Sequence, residues 1–399
     1  MQMLLTHRYK LRPTRAQYAD LDRVLELQRL LYNACLQERI EAWRKAGLSI
    51  TKLDQNKSLT QIRSFDAAYA AMPVSLSRWS IAKVDDAMGG FFKRVKKGQT
   101  PGFPRFRGMG RWSTFGFDEW QGIRLKGDRL LFKPFATGIR VHLHRELPSN
   151  DIRSCTFTRK GRHWFVSLVV DVPVAERHAH EGTAVGIDVG IEHLLTTSEG
   201  EHVENVRPRS RRERQLRIAQ QALARCKRGS KRRRKLKERL ATVQRRILQA
   251  RDTHLHQVSA ALARRYETIA VEDLKLRNMT RSARGTVDEP GTNVAQKAGL
   301  NRALLDAAPG KLIQMLTYKA ARAGGRIIKV DPKNTSQACS SCGTLVRKAL
   351  DERRHRCSCG LDLHRDHNAA LNVLGRAMPP GGSGGDNPCR IGTADAKAA

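Results

Sequence analysis

Four cysteines of the chain fall into two close pairs, Cys339-Ser-Ser-Cys342-Gly and Cys357-Ser-Cys359-Gly, with the overall spacing C-x2-C-x14-C-x-C. Cysteine pairs on two glycine-ended turns form the donor set of one tetrahedral Zn²⁺, and an ion held by four protein ligands is structural rather than catalytic. A ribbon of about 30 residues has too little core to fold without such a staple. The second pair is tighter than the usual C-x-x-C, so His355 or His364 stands as an alternative to one sulfur. Three acids point to a different chemistry. Asp188 ends the apolar run AVGID, Glu272 ends TIAVE, and Asp366 opens a helix-like run in HRDHNAALNVLG. Open α/β sheets bind ligands at the carboxyl ends of their strands. Carboxylates converging there repel one another unless cations lie between them. Two Mg²⁺ ions about 3.5–4 Å apart, held this way, activate a water and stabilise the leaving oxygen in phosphodiester hydrolysis. Each acid also has a plainer reading: Asp366 as a helix N-cap, Glu272 and Asp273 as solvated loop acids, Asp188 as a turn residue.

The elements that must position these residues are legible in part. The run RYKLRP (8–13) alternates like a strand, and Thr14 with Gln17 forms a capping box for a helix whose stripe is Leu21, Leu25, Leu31, Tyr32, Cys35 and Trp43. More helix is expected at 59–71 and 76–97, before TPGFPRFRG breaks it. The period then falls to two in WSTFGF, GIRL, RLLFKP, IRVHLH, IRSCTFT and HWFVSLVVDV, the pattern of a small antiparallel barrel that strand 8–12 could close. AVGIDVG starts a buried α/β sheet, which ETIAVEDL and RIIKV continue. Between the first two strands, residues 207–251 hold 19 Lys and Arg against two acids. Gly229 and Ser230 divide that stretch, and Leu236, Leu240, Val243, Ile247, Leu255, Val258 and Leu262 form a core-facing stripe, so it reads as a packed basic hairpin. Residues 278–299 read as a mobile polar loop, 301–323 as a helix, Asp366 to about Ala377 as the last helix, and 379–399 as a disordered tail.

Composition narrows the partners. The chain has 399 residues, 74 Lys and Arg against 38 Asp and Glu, and a net charge of +36. That excess reads as a long polyanion held along a groove, with a ribosome-associated or merely soluble basic protein as the plainer reading. The chain is long enough for several domains with real cores. MQMLLTHRYKLRP lacks the apolar run of a secretory signal, and no stretch approaches the ~20 apolar residues of a membrane span. Cys35, Cys155, Cys226 and Cys389 lie apart from the cluster, as inert thiols of a cytoplasmic protein would.

Together, GIDVGIEHLLTTSEG, IAVEDLKLRNM, VDPKNTSQACSSCG and HRDHNAALNVLG resemble the motifs of the TnpB family, transposon-encoded RNA-guided nucleases related to type V CRISPR effectors. YKLRPTRAQ and GFPRFRG extend the resemblance into the N-terminal half. It implies an α/β plus β-barrel architecture: a RuvC-like RNase H fold interrupted by a zinc ribbon, and an N-terminal wedge barrel with a helical recognition insert. The expected divisions are 1–12 (first wedge strand), 13–99 (recognition insert), 100–178 (wedge barrel), 179–333 (RuvC-like domain, with the hairpin at 207–265), 334–363 (zinc ribbon) and 364–378 (last RuvC segment). Carried over by motif, Asp188, Glu272 and Asp366 are the Mg²⁺-binding catalytic acids. His364-Arg365-Asp366 stands where the family often has Asp-Arg-Asp, with the metal-binding acid kept. The implied activity is cleavage of double-stranded DNA by a monomer in the prokaryotic cytoplasm, on nucleoid DNA. A guide RNA from the transposon end would lie on the hairpin and barrel, and protein would read a short flanking motif. Candidate nucleic-acid contacts are Arg78, Arg105, Arg107, Arg232, Arg233, Arg234, Lys235 and Arg365, with Trp79 and Phe106 open to packing or contact.

Three rival readings stand beside this one. A nuclease-inactive RNA-guided repressor would lack catalytic acids, and all three are present. An unguided Holliday-junction-type nuclease would need neither the long basic hairpin nor the zinc ribbon. A transposase-associated DNA-binding protein or strand transferase would use a His-hydrophobe-His triplet, here His142-Leu143-His144 or His254-Leu255-His256. The second triplet sits in expected helix, where positions i and i+2 do not share a face.

Overall fold

The computed structural model describes residues 2–286, 288–349 and 352–379. The expected disordered tail beyond Pro379, with Cys389, lies outside the described residues. The chain divides into two compact units, Gln2–Pro173 and Val174 onward.

The first unit opens with β1 (Gln2–Arg12), followed by α1 (Arg15–Ala46), α2 (Lys52–Phe65), α3 (Ala67–Ala70) and α4 (Val74–Lys96). Thr14 and Gln17 make the anticipated capping box on α1, and Gly47 ends the helix in the left-handed region at φ 64°. The stripe from Leu21 to Cys35 is buried, but Trp43 is 65% exposed. Helical period alone put Trp43 on the core side. Strands β2 (Thr114–Phe117), β3 (Ile123–Lys126), β4 (Arg129–Phe132), β5 (Phe135–His142), β6 (Ile152–Lys160) and β7 (His163–Pro173) join β1 in one antiparallel sheet, ordered β2-β6-β7-β1-β5-β4-β3. Its edges β2 and β3 do not pair, so the sheet is a half-barrel rather than a closed barrel. Phe115, Phe117, Phe132, Phe157 and Trp164 fill the core. Trp79 belongs to it as well, 5% exposed with its ring 6.1 Å from that of Trp112, which assigns it to packing.

The second unit is built on β8 (Ala184–Asp188), β9 (His193–Thr197), β10 (His202–Glu204), α5 (Glu213–Ala224), α6 (Lys231–Arg265), β11 (Thr268–Glu272), α7 (Leu276–Met279), α8 (Val294–Ala307), α9 (Pro309–Arg322), β12 (Arg326–Val330), β13 (Arg354–Arg356), β14 (Asp362–His364) and α10 (Arg365–Ala377). The sheet order is β10-β9-β8-β11-β12, with β8, β11 and β12 parallel. β9 and β10 form a short antiparallel extension that sequence patterning did not suggest.

Side chains alternate along each strand. Val185, Ile187, Ile269 and Val271 therefore share one face, where they pack with Leu255 and Leu262 of α6 and Leu312 and Leu316 of α9. Gly186, Asp188, Ala270 and Glu272 share the other face, the side on which Val373 of α10 joins Ala270 and Val330. Gly186 is required there: a Cβ would lie 2.2 Å from the Ala370 carbonyl and 2.7 Å from the Leu374 nitrogen.

The basic hairpin is α5 and α6, with Ser230 capping α6 through the Arg233 amide and with Leu216, Val243 and Ile247 buried between the helices. The expected helix over 301–323 is two helices broken at Ala308, whose φ is 53°. Pro309 disfavours helical geometry at the residue before it and starts a new helix well. The segment read as a loop to residue 299 is already helical from Val294. Among the described residues, no helix is long and apolar enough to cross a membrane.

Candidate active site and metal centre

Asp188 and Glu272 end neighbouring parallel strands. Their register pairs Gly186 with Ala270 and Ile187 with Val271, and one residue further sets Asp188 beside Glu272. α10, seated against Gly186, brings the third acid in its first turn. Asp366 is 9% exposed. It is not the N-cap: the His364 ring Nδ1 accepts from the Asp366 amide at 3.3 Å, which leaves the Asp366 carboxylate to other work.

Asp188 senses both of the other acids. Asp188 is pushed up to about 8, first by burial and then by the charges of Glu272 and Asp366, with Arg365 opposing. Glu272 is also raised by burial, against the pull of the Thr335 hydroxyl and the Arg376 guanidinium. Thr335 Oγ1 donates to Glu272 Oε1. Asp273 is exposed and paired with Lys329 at 3.5 Å, and Asp362 is paired with Arg354 at 2.8 Å, so both are surface acids.

A stack of imidazoles lies on the Asp366 side. His193 and His202 have ring centroids 4.4 Å apart and nearly parallel planes, and His364 lies edge-on at 5.0 Å from His202. Burial, then the neighbouring His193 and His364, hold His202 below the ordinary histidine range. His367 Nε2 lies 3.1 Å from the Ser198 carbonyl. The stack draws on two strands and a helix start, so no spacing in the sequence announces it. Thr335 went unseen for the same reason.

The cysteines form the other centre. The four Sγ atoms lie within 4.8 Å of one another, the one such group of three or more potential ligands among the described residues. Cys339 Sγ is 3.6 Å from Cys359 Sγ, and Cys342 Sγ is 3.5 Å from Cys357 Sγ. These are not disulfide distances, which are about 2.05 Å. They approach the ~3.8 Å edge of a tetrahedron with Zn–S bonds near 2.3 Å. Each knuckle closes through its glycine: the Gly343 amide bonds the Cys339 carbonyl at 2.9 Å and the Gly360 amide bonds the Cys357 carbonyl at 3.0 Å. The shorter knuckle is thus a tighter turn of the same kind. The Thr344 hydroxyl and amide, then Cys357, lower the Cys342 thiol to about 6, toward the ligating thiolate. Neither histidine joins the sulfurs: His355 is buried against Lys348, and His364 stands in the imidazole stack.

The basic candidates are dispersed. Arg78, Arg105, Phe106, Arg107, Arg232, Arg234 and Lys235 are exposed. Arg107 is held by its backbone, whose amide donates to Asn33 Oδ1 at 2.8 Å. Arg233 departs from its expected surface role. Its Nη1 donates to the Leu223 and Cys226 carbonyls at 2.6 and 3.0 Å, satisfying the C-terminus of α5. Arg365 is half-buried, and its Nη1 donates to the Glu352 carbonyl at 3.3 Å. His142 ends β5, where its Nδ1 meets Arg12, and His254 meets the Glu204 carbonyl from α6.

Three family models match the chain: "Cas12f1-like, TNB domain" over 310–373, "Probable transposase" over 167–283 and "Helix-turn-helix domain" over 1–47. In this structure the last segment is a strand and one long helix. The chain is 29% identical over 383 residues to "Putative RNA-guided DNA endonuclease InsQ" of Escherichia coli (strain K12), covering 94% of this chain and 92% of that protein. It is 28% identical over 386 residues to a similarly described protein of Streptomyces pristinaespiralis, at 94% and 90% coverage. The CRISPR-associated endodeoxyribonuclease Cas12f1 of Sulfoacidibacillus thermotolerans matches at 27% over 232 residues, 54% of this chain and 50% of that one. A solved Cas12f1-sgRNA-target DNA complex is alike in fold, with a TM-score of 0.54 at 14% identity over 90% of this chain and 83% of that chain.

Proposed function

This chain belongs to the TnpB family, and from that premise we propose that it is an RNA-guided endonuclease that hydrolyses phosphodiester bonds of double-stranded DNA. The observation that carries the proposal is the placement of Asp188, Glu272 and Asp366 on one side of one sheet, close enough that the other two raise the pKa of Asp188. A divalent cation removes that mutual repulsion, so the donor set suits hard ions bound by oxygen. Asp188, Glu272 and Asp366 are the residues that would hold two Mg²⁺ ions. When bound, such a pair would activate a water and stabilise the leaving oxygen. Arg365, next to Asp366, supplies positive charge for a phosphate of the scissile strand.

The mixed sheet with acids at its strand ends supports a RuvC-like assignment for 179–333 and 364–378. The half-barrel supports a wedge assignment for 1–12 and 100–178, with recognition helices at 13–99. Cys339, Cys342, Cys357 and Cys359 would hold one Zn²⁺ that staples the ribbon 334–363. The exposed Arg232, Arg234 and Lys235 of the hairpin suit a guide-RNA backbone, and Arg78, Arg105 and Arg107 suit target DNA.

The test is cleavage of a plasmid that carries a guide match beside a randomised flank, using protein purified with its own RNA. The parent should cut it in Mg²⁺. Asp188→Ala, Glu272→Ala and Asp366→Ala should each lose orders of magnitude in rate while RNA and target binding persist. Asp273→Ala and Asp362→Ala should stay near the parent. Full cutting by Asp366→Ala would overturn the site, and an inert parent across all flanks would favour the repressor reading.

A further inference from the structure

One face of α10 grips the segment that leads into the cysteine clip. Asn368, Asn372 and Arg376 recur every four residues, so they share that face. Asn368 Nδ2 donates to the Ala338 carbonyl at 2.7 Å, and its Oδ1 accepts the Ser340 amide at 2.9 Å. Asn372 Nδ2 donates to the Thr335 carbonyl at 2.8 Å and to the Ala338 carbonyl at 2.7 Å. Arg376 Nη1 donates to the carbonyls of Asp331 and Lys333, both at 2.7 Å. Thr335 is therefore fixed on the helix that also carries Asp366. It is 3% exposed, and its hydroxyl reaches Glu272 Oε1 across 63 residues of sequence. The Pro332 carbonyl, 3.1 Å away, is the hydroxyl's other acceptor. The one proton goes to the better acceptor, and a charged carboxylate outbids a neutral carbonyl.

A glutamate ligand has a broad terminal torsion and two equivalent oxygens, so an unsupported carboxylate presents either oxygen over a wide arc. A donor fixed on Oε1 removes that choice. It leaves Oε2 as the oxygen that Thr335 does not engage, and so the one available to a cation.

We propose that Thr335 is the positioning residue of Glu272, holding its carboxylate in a single orientation for metal and coupling that orientation to α10. The inference rests on the nuclease reading and adds to it a residue outside the three acids. Outer partners of this kind change metal affinity or activity by about 10–100-fold when removed.

The test uses the full chain with its RNA. Thr335→Val keeps the shape and branching of the side chain and deletes the hydroxyl, while Thr335→Ser keeps the hydroxyl. Thr335→Val should cut about 10–100-fold more slowly and need more Mg²⁺. Its zinc content, guide affinity and target affinity should match the parent, and Thr335→Ser should recover most of the rate. Mn²⁺ uptake followed by electron paramagnetic resonance gives a readout apart from cleavage, with Glu272→Gln as the background for ions held by RNA. Thr335→Val should lose the parent's excess Mn²⁺ over that background. Parental rate and Mn²⁺ uptake in Thr335→Val would overturn the positioning role and leave the nuclease reading intact. Loss of zinc or of RNA binding in Thr335→Val would also overturn it, because the residue would then be structural. An inert parent whose Mn²⁺ uptake matches that of Glu272→Gln would remove the nuclease reading and this inference together.

Discussion

The sulfur cluster and the acid cluster both suit cations in the proposed reading, and the fold assembles them in opposite ways. The four cysteines come from two turns between residues 339 and 359, and their sulfurs lie within 4.8 Å of one another. The three acids span residues 188 to 366 and do not gather that closely among the described residues. Two neighbouring turns bring the sulfurs together through local chain geometry, whereas the acids need a sheet and a helix to bring them to one place. The cysteine clip makes its own fold, whereas the acid site borrows one. The sheet supplies two acids, and α10 supplies the third across Gly186. The +36 charge of the chain and the acids thus have separate tasks, one recruiting polyanion over the whole surface and the other reversing the field at one point.

The largest effect that sharpens this contrast is loss of the clip. Cys339→Ser removes the buried sulfur of the first knuckle. The variant should release about one zinc per chain and unfold the ribbon, because the ion supplies what the small core cannot. The segment gripped by Asn368 and Asn372 should loosen with it, so cleavage should fall although no acid has changed. Metal analysis and limited proteolysis check this outcome. A parent without zinc, or a zinc-free variant with an intact ribbon, would erase the distinction between the two sites.

Next comes the scaffold of the acids. Gly186→Ala puts a Cβ 2.2 Å from the Ala370 carbonyl, a backbone atom that cannot step aside alone. Such overpacking costs about 1–3 kcal/mol. Thermal unfolding should drop by several degrees, and cleavage should fall further than stability does, because the displaced helix carries both Asp366 and the support of Thr335. Zinc should stay bound. Unchanged melting and unchanged cleavage would mean that α10 does not need this close approach.

The same contrast explains what was legible in the sequence. The cysteine pairs are local, and their spacing states their geometry. Asp188 and Glu272 could be picked out because apolar runs ending on an acid mark strand ends, and Asp366 because it begins a periodic run. The Thr14–Gln17 capping box is equally local and held. Contacts between distant segments left no such trace. Thr335 meets Glu272, and His193, His202 and His364 stack, only because the sheet and α10 bring them together. Trp43 misled because period identifies a helix face but not where its cover ends. The break at Ala308 was readable from Pro309, but a continuous apolar pattern on both sides hid it. Arg233 looked like its neighbours because a charge run does not show which member faces a helix terminus.

The smallest predicted effect concerns protons. Asp188 has a folded-state pKa of about 8 against an ordinary 3.8, so the folded chain binds this proton more tightly than the unfolded chain does. Its contribution to stability is therefore fully present below pH 3.8 and lost as pH rises through about 8. His202 is shifted the other way, so its contribution is present above the ordinary histidine range and lost as pH falls below it. Above neutrality Lys319, which burial lowers to about 8, titrates in the same range with the opposite sign, so the difference between the parent and Asp188→Asn is what isolates the aspartate. Without divalent cations, the melting temperature should decline as pH is raised from neutrality through about 8, and Asp188→Asn should flatten that decline. Mg²⁺ stabilises by binding the folded state, and it competes with the Asp188 proton. The Mg²⁺-induced gain in melting temperature should therefore grow with pH in the parent and change little in Asp188→Asn, which also corrects for Mg²⁺ held by bound RNA. The cysteine clip should give no such Mg²⁺ response, because its soft donors do not favour that ion. An Mg²⁺ gain that is flat with pH, or equal in parent and Asp188→Asn, would show that the acids do not meet a cation where the fold brings them together.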